Sequence, residues 1–120
     1  MIQVSRGEVV LIDYPFTDRT GSKIRPCVVV QTDINNQRLD DTIVAVMTSK
    51  MRPGLSSTTE MLIEAKSAAG RQAGLLTDSV IQCQNLLTID RRFVRRRVGT
   101  IPADLLPQLD QCLKAALGLT

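Results

Sequence analysis

The sequence contains no histidine. That absence removes Ser-His and Cys-His nucleophile pairs, histidine-based zinc sites and the paired-histidine mechanism of phosphodiester cleavage, so any catalysis has to run on other groups. Tryptophan is also absent, and the only aromatic residues are Tyr14, Phe16 and Phe93. The core must therefore be aliphatic, and platforms on which a nucleic-acid base could stack are scarce. No apolar run approaches the ~20 residues that span a bilayer. The N-terminus MIQVSRGEVV lacks the charged start and apolar stretch of a signal peptide, which reads as a cytoplasmic protein with no membrane partner. Cysteines are few: Cys27, Cys83 and Cys112 lie far apart, are odd in number and lack metal-type spacing. They argue for a reducing compartment and for a role as small core residues, with no bound metal or other cofactor expected.

What is present is aliphatic and mildly basic. The 120 residues, 43% of them hydrophobic, fall within the size of a single domain, 1–120, which hides roughly two-thirds of its unfolded surface without a covalent staple. Fifteen Lys and Arg against twelve Asp and Glu leave a charge of +3 and a pI near 9.0, which leans toward a polyanionic partner without requiring one.

Short β-branched runs between turn signals predict strands at Val9–Ile12, about residues 25–32, Thr42–Thr48, Thr59–Glu64 and Leu75–Cys83. Asn85–Ile89 either continues the sheet or forms an extended edge. Asp33–Asp41 reads as a connection and Ala65–Gly74 as a loop. From Asp90 to Ile101 a turn is followed by a short strand through Val98. Leu105, Leu106, Leu109, Cys112, Leu113, Ala116 and Leu117 recur at helical spacing, predicting a C-terminal helix with Asp104 as N-cap, Pro107 in its first turn and Gly118 as C-cap. Five or more short strands with one amphipathic helix point to a mainly β protein built as a small barrel.

Two features carry charge in a defined setting. In Gly21-Ser22-Lys23-Ile24-Arg25-Pro26, a polar loop hands over to the apolar run Cys27-Val28-Val29-Val30. Pro26 forces the preceding residue into an extended conformation, so Arg25, whose guanidinium keeps its charge at cellular pH, is held at a strand entrance. The second feature is a run of five arginines between Arg91 and Arg97, either a solvated basic face or an attractor of RNA or an acidic protein.

Taken together, Arg6-Gly7-Glu8-Val9-Val10, the loop ending Gly21-Ser22-Lys23, Arg25-Pro26 with its apolar strand, a strand ending at Thr48, Asp78-Ser79-Val80-Ile81, Thr88-Ile89-Asp90 and the closing helix resemble the MazF/PemK toxin family over nearly the whole chain. The resemblance implies an SH3-like barrel of five to seven strands with the C-terminal helix packed on it. It also implies a homodimer, a metal-independent endoribonuclease activity on short sequences in single-stranded RNA, and inhibition by a cognate antitoxin with an acidic flexible tail. The family's arginine before the strand proline and threonine ending the next strand match Arg25 and Thr48, the implied catalytic pair. Phe16, Arg19, Ser22, Lys23, Ser49, Lys50 and Gln84 are the candidate RNA contacts, Arg19, Lys23 and Lys50 because they would flank Arg25 and Thr48. The family often carries an acidic-Gln pair near Gln84-Asn85, and the loop FTDRTGSKI is closer to its PemK-like members, so the recognition sequence is not implied.

RNA supplies its own nucleophile, the 2′-OH beside the scissile phosphate. Arg25 suits stabilisation of the charge that builds on the phosphoryl oxygens, since its planar fork holds two of them at once. Thr48 suits a second hydrogen bond to the same group. Two rival readings share the barrel architecture: a CcdB-like poison that binds DNA gyrase without catalysis, and a barrel that only binds.

Overall fold

The β-branched runs pair into six antiparallel strands in the computed structural model, which describes residues 1–14, 23–50 and 58–120. The strands are β1 (Glu8–Tyr14), β2 (Lys23–Val29), β3 (Asp41–Thr48), β4 (Glu60–Ile63), β5 (Ser79–Asp90) and β6 (Val94–Thr100). Their order across the sheet is β4-β5-β3-β2-β1-β6. Three helices, α1 (Asp33–Arg38), α2 (Ala68–Gln72) and α3 (Leu106–Leu117), complete the described chain. The expected mainly β architecture with a closing amphipathic helix is realised. None of these helices is long and apolar enough to cross a membrane.

The central strands read as unbroken apolar runs because both of their faces are covered. On one face Val9, Val28, Ala45, Met47, Ile81 and Cys83 pack against Leu109 and Cys112 of α3. On the other, Val10, Ile12, Cys27, Val29, Val44 and Val46 pack with Val4, Ile89 and Val94. Adjacent residues of one strand thus serve two apolar clusters, as a side-chain period of two requires. Burying each such aliphatic side chain contributes about 1.5–3 kcal/mol.

The polar stretches hold more structure than their composition predicts. The expected connection at Asp33–Asp41 contains α1, organised by the buried Asn36. Its Oδ1 accepts from Gln31 Nε2 at 2.9 Å and Thr42 Oγ1 at 2.8 Å, while its Nδ2 donates to Gln31 O at 3.0 Å. The expected loop at Ala65–Gly74 contains α2, whose N-cap Ser67 accepts from the Gly70 amide at 3.0 Å. Leu75–Asp78 precede the fifth strand instead of opening it. Gly74 turns the chain with φ +75°, and the Asp78 carboxylate is engaged by the Ala65 amide at 2.8 Å. From Ser79, β5 runs unbroken to Asp90, so Asn85–Ile89 continue the sheet.

The helix start also differs from expectation. Asp104 lies within a single 3-10 turn, Ala103–Leu105, and α3 begins one residue later with Leu105 at its N-cap and no side-chain cap bond. The Leu106 amide, the donor an Asp104 cap would have accepted from, is already bonded to Ala103 O, so the tighter turn does the work assigned to the aspartate. Pro107 sits in the first turn and Gly118 caps the end in the left-handed region at φ +71°, both as predicted.

Candidate active site

The pairing of β2 with β3 places Arg25 and Thr48. Cys27 lies opposite Val46 in the last pair of the β2–β3 ladder, and Arg25 and Thr48 each lie two residues beyond that pair on their own strands. Cys27 and Val46 point into the cluster away from α3, so by the period of two Arg25 and Thr48 fall on that same face. Both are half-buried. The Thr48 hydroxyl accepts from the Lys50 amide at 3.1 Å. A hydroxyl has one hydrogen and two lone pairs, so this bond leaves the hydrogen available to donate.

The neighbouring strands extend the site across the sheet. Thr48 lies opposite Val80 of β5, and Val80 lies opposite Leu62 of the edge strand β4. Leu62 is half-exposed and Val80 partly so, giving an apolar floor beside the hydroxyl. One step along, Val46 faces Gln82 and Gln82 faces Glu60. Between Gln82 and Leu86 the register with β3 shifts, and Cys83, Gln84 and Asn85 bulge out of the ladder. There the Glu60 carboxylate accepts from Gln84 Nε2 at 3.0 Å, Thr59 Oγ1 lies 3.1 Å from Gln84 Oε1, and Asn85 Nδ2 donates to Gln82 Oε1 at 3.3 Å.

Of the other expected RNA contacts, Ser49 and Lys50 follow Thr48 directly and are exposed, Lys23 opens β2, and Gln84 is exposed in the bulge. Phe16, Arg19 and Ser22 lie outside the described residues. Sequence reasoning missed Glu60, Leu62, Val80, Gln82 and Asn85. Alternation in Glu60-Met61-Leu62-Ile63 marks the wetted face of β4, but only the strand order reveals that this face adjoins Thr48.

The arginine run resolves largely into ion pairs. Arg91 meets Asp40 at 3.7 Å, Arg92 meets Asp90 at 3.2 Å, Arg95 meets Asp13 at 3.4 Å and Arg97 meets Glu8 at 3.2 Å. Among the described residues only Arg96 of the five has no carboxylate within ion-pair distance. Asp90, which opens the turn into this segment, has its carboxyl lowered chiefly by the hydrogen bond from the Arg92 amide.

The thiol next to the site is inert. Burial pushes Cys27 up to about 12, outweighing the opposite pull of the Arg25 guanidinium. Cys83, beneath the bulge, is likewise pushed up to about 12 by burial, and Cys112 is raised for the same reason. All three cysteines are buried and unbridged, as the sequence implied. With no histidine and no available thiolate, the described residues leave at this face a guanidinium, a hydroxyl, side-chain amides and the Glu60 carboxylate.

Residues 5–117 match the family described as PemK-like, MazF-like toxin of type II toxin–antitoxin system. The chain is 28% identical over 117 residues to Endoribonuclease EndoA of Bacillus subtilis (strain 168), a match covering 97% of this chain and 96% of that protein. Among solved structures it resembles the Mycobacterium tuberculosis toxin MazF-mt6, with a TM-score of 0.74, 25% identity and coverage of 94% and 98% of the two chains. It also shares the fold of MazE-MazF from Deinococcus radiodurans, with a TM-score of 0.75, 20% identity and coverage of 99% and 100%.

Proposed function

Because the chain belongs to the PemK-like, MazF-like toxins of type II toxin–antitoxin systems, we propose that it is a sequence-specific endoribonuclease that cleaves single-stranded RNA between Arg25 and Thr48. The observation that supports this reading is that Arg25 and Thr48 each lie two residues beyond the last β2–β3 pair on same-parity positions, with Val80 and Leu62 next to Thr48 across the sheet. The similarity to an endoribonuclease over 97% of the chain supports the same activity.

In this reading the 2′-oxygen attacks the adjacent phosphorus, and the bond from phosphorus to the 5′-oxygen breaks. The 2′-OH gives up its proton and the departing 5′-oxygen takes one up. The products are a 2′,3′-cyclic phosphate and a 5′-OH. Arg25 donates two parallel hydrogen bonds to the non-bridging oxygens as their charge grows, and Thr48 donates a third through its available hydrogen. A guanidinium is a poor general base, so the part given to Arg25 is electrostatic. No step calls for a metal.

Ser49, Lys50, Lys23 and Gln84 contact the RNA in this reading, and the resemblance adds Phe16, Arg19 and Ser22. The chain works as a single domain, pairs with a second copy, and is silenced by a cognate antitoxin whose acidic flexible segment competes with RNA for the basic end of β2.

The test is to incubate the purified protein with a mixed RNA in EDTA and map the new ends. Fragments with 5′-OH ends that polynucleotide kinase labels directly, and their loss in Thr48→Ala, are the expected result. Intact RNA would point instead to a gyrase-binding or purely binding barrel, for which Arg25 and Thr48 have no assigned task.

A further inference from the structure

Glu60 stands out chemically on a face suited to a polyanion. It is the carboxylate nearest in register to Thr48 on that face, and among the described residues it has no cationic partner. Two strand spacings and two residues along β5 place its Cα about 12 Å from that of Thr48, within one nucleotide's reach of a phosphate held there. A carboxylate repels phosphate, so a strand passing over it must offer something other than backbone.

The groups around it are held in a defined orientation. Gln84 is fixed at both ends of its amide, with its nitrogen on Glu60 at 3.0 Å and its oxygen 3.1 Å from Thr59 Oγ1. The bond to Gln84 engages Oε2, leaving Oε1 and the second lone pair of Oε2 as acceptors. Opposite, the oxygen of Gln82 is taken by Asn85 at 3.3 Å, which leaves the Gln82 amide hydrogens as donors. Side by side, the face presents two carboxylate acceptors and an amide donor.

Resting on the endoribonuclease reading above, we infer that Glu60 is a specificity-determining residue that reads a guanine next to the scissile phosphate, with Gln82 completing the contact. Guanine carries two adjacent donors, N1–H and N2–H, beside the acceptor O6. The carboxylate accepts both donors and the Gln82 amide donates to O6. Adenine and cytosine offer the carboxylate a single amino group. Uracil presents carbonyls on both sides of its one N–H, so one of them faces the carboxylate unpaired. Reading an unstacked base by its edge also suits a chain with only three aromatic residues.

A bidentate contact of this kind is worth about ten- to hundredfold in discrimination. The experiment has two arms, each comparing the wild type with Glu60→Gln and Glu60→Ala after thermal melting shows that both variants fold. In the first, cut sites in a randomised RNA are sequenced. In the second, a randomised single-stranded DNA pool, which lacks the 2′-OH nucleophile, is bound and the retained fraction sequenced. Guanine is expected over uracil, or over thymine in DNA, by about ten- to hundredfold at one position, with the preference collapsing in both variants. An unchanged preference in the variants, or no guanine preference in the wild type, overturns the inference. If the wild type leaves RNA intact, the endoribonuclease reading fails, and the binding arm still decides whether Glu60 selects guanine.

Discussion

Arg25 and Thr48 each lie two residues beyond the Cys27–Val46 pair, on the strand positions that share the parity of the packed residues Cys27, Val29, Val44 and Val46. One side chain is a fixed cation with a planar fork and the other is a hydroxyl whose hydrogen is not engaged by Lys50. Arg25→Lys keeps the charge and loses the fork. It is expected to lower single-turnover cleavage by about 100- to 1000-fold while RNA affinity, measured by fluorescence anisotropy, changes only a few-fold. Turnover near that of the wild type would remove Arg25 from the role given to it.

Thr48→Val replaces the hydroxyl with a methyl of the same shape on a strand that favours β-branched residues. Melting should move little, whereas cleavage should drop by about ten- to a thousandfold. Thr48→Ser, which keeps the donor, should retain most activity. If valine cleaves as well as serine, the hydroxyl has no part in the reaction.

The three thiols give a readout of burial. At pH 8 an aromatic disulfide reagent should label none of them in the native protein and all of them in urea, because Cys27 and Cys83 are pushed up to about 12 and Cys112 is also raised. The same shifts set a direction for stability. Above the ordinary thiol value near 9, unfolded chains lose protons that the folded state retains, so stability falls as pH rises from about 9 toward 12. A urea midpoint that is flat or rising across that window would contradict the burial.

Leu109 of α3 is fully buried against Val9, Met47, Ile81 and Cys83. Leu109→Ala is expected to cost about 2–5 kcal/mol in urea unfolding, the range for deleting a large aliphatic side chain from a core. Gly74→Ala should be similarly harmful for a different reason. A Cβ there would lie 2.1 Å from Val98 O, and the backbone at φ +75° disfavours any side chain. A loss below 1 kcal/mol for either would mean that the helix or the turn is held less firmly than its contacts indicate.

Local patterns in the chain foretold much of this architecture. Val9–Ile12 and Thr42–Thr48 read as strands because β-branched residues buried on two faces leave an uninterrupted apolar run. Pro107 and Gly118 bracketed α3 through backbone constraints that need no partner. Where the expectation missed, tertiary contacts had overruled composition. Residues 33–38 look like a polar connection until Asn36 is seen buried among Gln31 and Thr42, and Ala68–Gln72 look like a loop until Ser67 caps them. Asp104 resembled an N-cap because capping chemistry is local, yet the chain satisfied the Leu106 amide with Ala103 O first.

For the site the division follows the same physical line. The sequence by itself determined which chemistry is open to this protein, because residue types and the proline beside Arg25 are local facts. No histidine is present, Cys27 opens an apolar run, and one arginine is held extended at a strand entrance. Only the tertiary structure decided what stands next to what. Strand order is set by long-range pairing and burial, and it brings β4 beside β5 and β5 beside β3. That order places Glu60, Leu62, Val80 and Gln82, which local spacing does not connect to Thr48, on the face that Thr48 shares with Arg25.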